Sequence, residues 1–107
     1  HAQIEMSGVD TKNRSLLMQA VENLLYSIDR DAERPSVWRQ LGIAYGRLGK
    51  MGKSSRALAE EAILQGWFRD AIGIAERAKK LLKRGSPDWL RAEDIITAAR
   101  ENMKNKK

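Results

Sequence analysis

"SVWRQLGIAYGRLGKMGKSSRALAEEAILQG", residues 36–66, decides how this chain folds. Its centre, Gly52-Lys53-Ser54, has the ending of a phosphate-binding P-loop. Such a loop needs a glycine, four residues, then Gly-Lys-Ser/Thr, and it follows a buried strand. The leading glycine belongs at position 47, where Arg47 stands, and Gly46 is one residue too far. What precedes it has the period of a helix: Trp38, Leu41, Gly42 and Tyr45 are offset by three, four and seven, one helical face near 36–48. The glycines therefore read as a turn. Gly49 closes one helix in the left-handed conformation, and Gly52 or Ser54 begins the next.

The same period extends outward. Leu16, Leu17, Ala20, Val21, Leu24, Leu25 and Ile28 form a stripe near 14–30, and "DRDAERP" breaks it before Pro35, which suits a helix start. A third helix near 52–65 carries Leu58, Ala59, Ala62 and Ile63 before Gly66. A fourth near 68–83 carries Phe68, Ala71, Ile72, Ala75, Ala78 and Leu82 before Gly85. "SPDW" opens a fifth, with Ser86 as N-cap, Pro87 in the first turn and Asp88 beside the positive helix end. Its apolar face is Trp89, Ala92, Ile95, Ile96 and Ala99. No strand-like alternation persists, so the expected fold is all-α.

Small residues stand where a helix prefers larger ones. Gly42 and Gly46 each cost about 1 kcal/mol relative to Ala inside a helix. Close helix approach offsets that cost, with large knobs (Trp38, Tyr45, Phe68, Trp89) set against alanine gaps. The expected core is Trp38, Leu41, Gly42, Tyr45, Leu58, Ala62, Ala71, Ala75, Ala78 and Trp89. Gly49 and Gly66 are 17 residues apart, and Trp38 and Trp89 are 51 apart, three times 17. A half-repeat of that length implies a helix-turn-helix unit of about 34 residues.

Trp38-x-x-Leu41-Gly42-x-x-Tyr45 resembles the first helix of a tetratricopeptide repeat, and Ala71-x-x-x-Ala75-x-x-Ala78 resembles a second helix. Ala20-x-x-x-Leu24-x-x-Ser27 is similar to a second helix as well. Helix three reads both as the partner of the Trp38 helix and as a first helix paired with helix four. The resemblance implies a right-handed stack of about five antiparallel helices, a tetratricopeptide-like superhelix, over residues 14–102. "ALAEEAILQG" and "GSPDWLRAEDI", with Ala71, Ala75 and Ala78 between them, are similar to the C-terminal region of bacterial M48-type zinc metalloproteases. That likeness implies a periplasmic or envelope setting and a substrate-recruiting or docking role, chaperone-like in character, beside a protease. The chain itself has no HExxH.

Composition narrows the classes. The 107 residues, 42% apolar, suit one domain with one core. Twenty basic and 14 acidic residues give a formal charge of +6, with both signs interspersed. There is no Cys, and the only histidine is His1. No apolar run approaches the roughly 18 residues of a membrane span. Residues 1–13 read as a tag remnant and lead-in without a signal peptide, and 103–107 as a frayed basic tail, so the chain reads as an excised domain. Glu60 and Glu61 point about 100 degrees apart on a helix, poorly placed as a catalytic pair. Ser54 and Ser55 lack a histidine base. No enzymatic activity, metal or cofactor is expected. The run "RAKKLLKR" places Arg77, Lys80 and Arg84 near one helical face. No aromatic residue interleaves with it in sequence, so the run reads as helix C-terminal charge rather than a nucleic-acid footprint.

The expected function is protein or peptide binding on a mixed, mostly basic groove. Its candidate residues are Arg39, Ile43 and Arg47 on the second helix and Lys53, Arg56 and Glu60 on the third. A free-standing adaptor that self-associates is the alternative, and a basic nucleic-acid-binding helical domain is a further one. Weak homodimerisation through exposed end helices is also expected, with Trp67 either an exposed anchor or folded over its own loop.

Overall fold

A computed structural model describes residues 11–105. The described chain is all-helical: α1 Thr11–Arg30, α2 Pro35–Arg47, α3 Met51–Leu64, α4 Phe68–Leu81 and α5 Pro87–Asn105. Of the expected lead-in and tail, residues 1–10 and 106–107 lie outside the described residues. Helix α1 starts at Thr11 rather than near 14, and α5 runs on to Asn105 rather than ending before 103. Neither extension carries a buried residue. Polar residues of good helix propensity, such as Lys12, Arg14 and Lys104, continue a helix already nucleated by its packed turns.

The turns are built as their residues dictate. Pro35 opens α2, its fixed φ already helical. Gly49 and Gly66 both take φ +81°. At the first, the Lys50 N–H donates to the Tyr45 carbonyl at 2.9 Å; at the second, the Trp67 N–H donates to the Ala62 carbonyl at 2.9 Å. These are the same glycine-closed helix end, 17 residues apart, which gives the sequence spacing a physical meaning. At the last turn the Trp89 N–H donates to Ser86 Oγ at 3.3 Å, the expected cap.

The molecule is elongated, 54 × 28 × 21 Å. Each helix packs on its sequence neighbours, and α3 also meets α5. Two apolar clusters result. Val21, Trp38, Leu41, Ala44, Leu48 and Ala57 join α1, α2 and α3. Ala59, Ala62, Ala71, Ala75, Ala78, Ala92, Ile95, Ile96 and Ala99 join α3, α4 and α5. Tyr45, Leu58 and Trp89, expected in the core, are only half-buried.

Helix α3 belongs to both clusters. Its buried residues are Gly52, Ser54, Ser55, Ala57, Ala59, Glu60, Glu61 and Ala62. Small side chains let neighbours approach from two sides. A Cβ at Gly42 would lie 2.8 Å from Leu58 Cδ2 and 3.3 Å from the Ser54 carbonyl oxygen. The Ser54 hydroxyl donates to the Gly42 carbonyl at 2.7 Å. Gly52 is set as tightly against α4 and its end, with a Cβ there 2.8 Å from Leu82 Cδ2 and 3.2 Å from the Leu81 carbonyl oxygen. Gly52 thus serves helix packing.

The two kinds of helical glycine give opposite expectations. Gly42→Leu overpacks the α2–α3 contact and should lower stability by at least about 2 kcal/mol. A Cβ at Gly73, midway along α4, meets nothing. Gly73→Ala should therefore raise stability by roughly 0.5–1 kcal/mol through helix propensity and a less free unfolded chain. Thermal midpoints of the two variants, moving in opposite directions from the parent, check both.

Candidate functional site

The six residues read as a binding face fall into two groups. Lys53, Arg56 and Glu60 turn toward α5 and are committed to ion pairs. Glu60 is the hub, with its side chain only 5% exposed. Arg91 grips it with both arms of its fork, Nε to Oε2 at 2.6 Å and Nη2 to Oε1 at 2.9 Å. Arg56 Nη2 lies 3.1 Å from the same Oε2. The Arg56 guanidinium also lies 4.8 Å from the Trp38 ring centroid. Packed there, it leaves Nε buried without an acceptor. Lys53 Nζ donates to Asp88 Oδ2 at 2.7 Å, and Arg56 Nη1 approaches Asp88 Oδ1 at 3.7 Å.

Hydrogen bonding to Glu60 is the largest influence on Arg91, and it pushes the guanidinium above its ordinary pKa against the opposing effect of burial. Attraction to Glu60 and Asp94 adds to the rise. Arg91 is thus a fixed cation at every relevant pH. Sequence reading assigned Glu60 to an open groove. The structure spends its charge internally, because two arginines are needed to offset the cost of burying one carboxylate. A cleft of about 540 Å³ does open beside this network, lined by Ile28, Trp38, Ile63 and Leu64 along with Arg56 and Arg91. Its cations are already matched.

Arg39, Ile43 and Arg47 lie on the exposed side of α2. Arg39 borders a second groove, about 490 Å³, that crosses α3 to reach α4. Leu58, Ala62, Gly73 and Ile74 contribute small or apolar surface to it, and Arg69, Asp70, Arg77 and Trp67 line it too. Glu61 is buried in this groove and meets Arg39 at 3.7 Å, a loose pairing. Arg69 and Arg77 make no ion pair with any described residue. Trp67 is 48% exposed, an open aromatic edge on the groove. Ile43, also half exposed, continues the α2 stripe one turn beyond Arg39.

Arg69, Arg77, Asp70 and Glu61 were missed as groove residues because a single sequence does not show which charges find partners. The Glu60–Arg91 contact carried a weak signal. Its partners are 31 residues apart and Lys53–Asp88 are 35 apart, both close to the 34-residue period. No aromatic lies within "RAKKLLKR", but one meets it in space: the Trp89 ring lies 4.7 Å from Lys79 Nζ and 5.9 Å from the Arg84 guanidinium. The chain turns at Gly85 and brings α5 back over α4, so residues distant in sequence meet.

Among the described residues no cluster of His, Cys, Asp or Glu is placed to hold a metal ion. No protein-family model, curated protein or solved structure matches this chain.

The two ion-pair environments make a direct contrast. Glu60→Gln leaves two guanidinium groups without their shared carboxylate and should cost roughly 1–3 kcal/mol. Arg39→Gln removes a loose 3.7 Å contact from a mostly exposed arginine to the buried Glu61 and should cost less, under about 1 kcal/mol. Urea denaturation of both variants measures the difference.

Proposed function

We propose that this chain is a non-catalytic protein-interaction module that holds an acidic, extended segment of a partner in the groove between α2 and α4. The observation that carries the reading is the pair of unmatched cations, Arg69 and Arg77, facing the same groove as Arg39 and the half-exposed Trp67. An acidic segment would supply the missing carboxylates, and an apolar side chain beside them would cover Trp67. Aromatic and arginine side chains are the residues that dominate such contacts.

The architecture behind this reading is a right-handed stack of antiparallel helix pairs like tetratricopeptide repeats. It is supported by the two identical helix ends 17 residues apart and by cross-links between α3 and α5 at near-repeat spacing. Such stacks present extended binding surfaces. The likeness of "ALAEEAILQG" and "GSPDWLRAEDI" to M48 metalloprotease tails suggests where the module works: in the bacterial envelope, recruiting substrates or docking beside a protease. Reading the gene upstream of Arg14 tests that link. An HExxH helix behind a signal peptide supports it, and a start codon near Met6 overturns it in favour of a free-standing adaptor.

A second reading, weak self-association, is favoured by α1, where Met18 and Leu25, two turns apart on one edge, are both exposed. Sedimentation velocity checks it: the average mass should rise with concentration, and Leu25→Glu should abolish the rise.

The groove is tested by fluorescence anisotropy with a labelled glutamate-rich peptide carrying one leucine. Binding should weaken as salt rises. The double change Arg39→Glu with Arg77→Glu should lower affinity at least roughly tenfold through like-charge repulsion. Trp67→Ala should lower it as well. Equal affinity of the parent and the double variant would place the peptide elsewhere and defeat the proposal.

A further inference from the structure

The two ends of the helix stack differ in charge. At one end the close of α1 and the α1–α2 loop carry Asp29, Asp31 and Glu33 beside Arg30 and Arg34. At the other, the α2–α3 turn and the α4–α5 turn lie together, as the tight contact of Gly52 with Leu82 and the Lys53–Asp88 ion pair show. Residues 46–59 contain Arg47, Lys50, Lys53 and Arg56 and no acid, and 77–87 contain Arg77, Lys79, Lys80, Lys83 and Arg84 and no acid. The acids nearest this end are already engaged. Asp88 is held by Lys53 and Arg56, Glu93 by Lys79, and Glu76 by Arg100. Arg47, Lys50, Lys80, Lys83 and Arg84 make no ion pair with any described residue.

The same end exposes large apolar side chains. Met51 is 53%, Leu81 52% and Leu90 49% exposed. They stand at three of the four helix termini that meet there: the start of α3, the end of α4 and the first turn of α5. Trp89, half-buried, sits among Lys79, Lys80 and Arg84 in a shallow recess. Cations alone would suit any polyanion. Unpaired cations and exposed Met and Leu at the same end, beside a half-buried Trp, match the layered chemistry of a bilayer surface: anionic headgroups outside and acyl chains beneath.

We infer that this end of the molecule docks on an anionic lipid bilayer, with Met51, Leu81 and Leu90 entering the headgroup boundary and Lys50, Lys80, Lys83 and Arg84 meeting lipid phosphates. The attachment is peripheral, since among the described residues no helix is long and apolar enough to cross a membrane. Nucleic acid would use the same cations but has no use for the three apolar side chains, and this decides between the two polyanions. None of these residues lines the peptide groove, so the inference stands apart from that reading.

Vesicle co-sedimentation of the whole chain is the test. Binding is expected to vesicles of phosphatidylcholine mixed with phosphatidylglycerol and not to phosphatidylcholine alone. Lys83→Gln with Arg84→Gln should weaken partitioning by roughly thirtyfold, the effect of two cations at an anionic surface. Met51→Ser with Leu81→Ser and Leu90→Ser should weaken it comparably while the net charge is unchanged. All five positions are exposed, and circular dichroism confirms that each variant keeps its helices. Failure to bind the anionic vesicles overturns the inference. So does binding that ignores the serine changes, or tight binding to an oligonucleotide that the serine variant retains in full while lipid binding is absent.

Discussion

The close burial of α3 from two sides is the constraint on which this structure depends. A helix in the middle of a stack has little room for large side chains, because its neighbours reach it across opposite faces. Here the solution is a run of Gly, Ser and Ala. Each such residue buries little apolar area, so the gain comes from many close contacts rather than from a few bulky anchors. Leu41 and Ile95 are the largest fully buried side chains, and both come from helices that flank α3. The cost of close approach is that backbone polar groups come with it. The Ser54 hydroxyl donates to the Gly42 carbonyl where α2 and α3 approach closely.

Such packing also dictates where charge can go. Glu60 and Glu61 are neighbours on α3, so the helix turns them toward different sides. Glu60 meets α5 and is locked between Arg91 and Arg56. Glu61 meets the α2–α4 groove and finds only the loose end of Arg39. One buried carboxylate is therefore part of the scaffold, while its neighbour sits beneath an open, arginine-lined surface. The same residue type acquires two roles from a single rotation of about 100 degrees.

The helices, their glycine ends and the alanine stripe were legible in the sequence because each rests on local period and on backbone conformations few residues tolerate. Gly42, Gly49, Gly66, Ala71, Ala75 and Ala78 all stand where their residue types demand. The site was legible only in part. Arg39 and Ile43 were found as exposed neighbours on one helical face, whereas the commitment of Glu60 to Arg91 was not, because a charge shows no partner until distant helices are placed. Trp89 was hidden for the same reason. It follows the basic run by a tight turn, and only the turn puts the ring against Lys79 and Arg84. Extra helix at Thr11–Asn13 and Met103–Asn105 was missed because amphipathic pattern detects the packed part of a helix and not its solvated ends.

Helix α4 links the two proposed surfaces. Its residues from Arg69 to Arg77 line the groove, a run of about 12 Å at 1.5 Å per residue. From Lys79 onward the same helix enters the cationic end. With that end seated on a bilayer, the groove would rise away from the lipid along α4, with Arg77 nearest the membrane and Trp67 farthest from it. An acidic segment held there would be kept off the anionic lipid surface by repulsion and drawn into the groove by Arg39, Arg69 and Arg77. Cations divided along one helix would thus let a single short element hold the ligand at one end and anchor the module at the other, while the lipid itself repels the ligand.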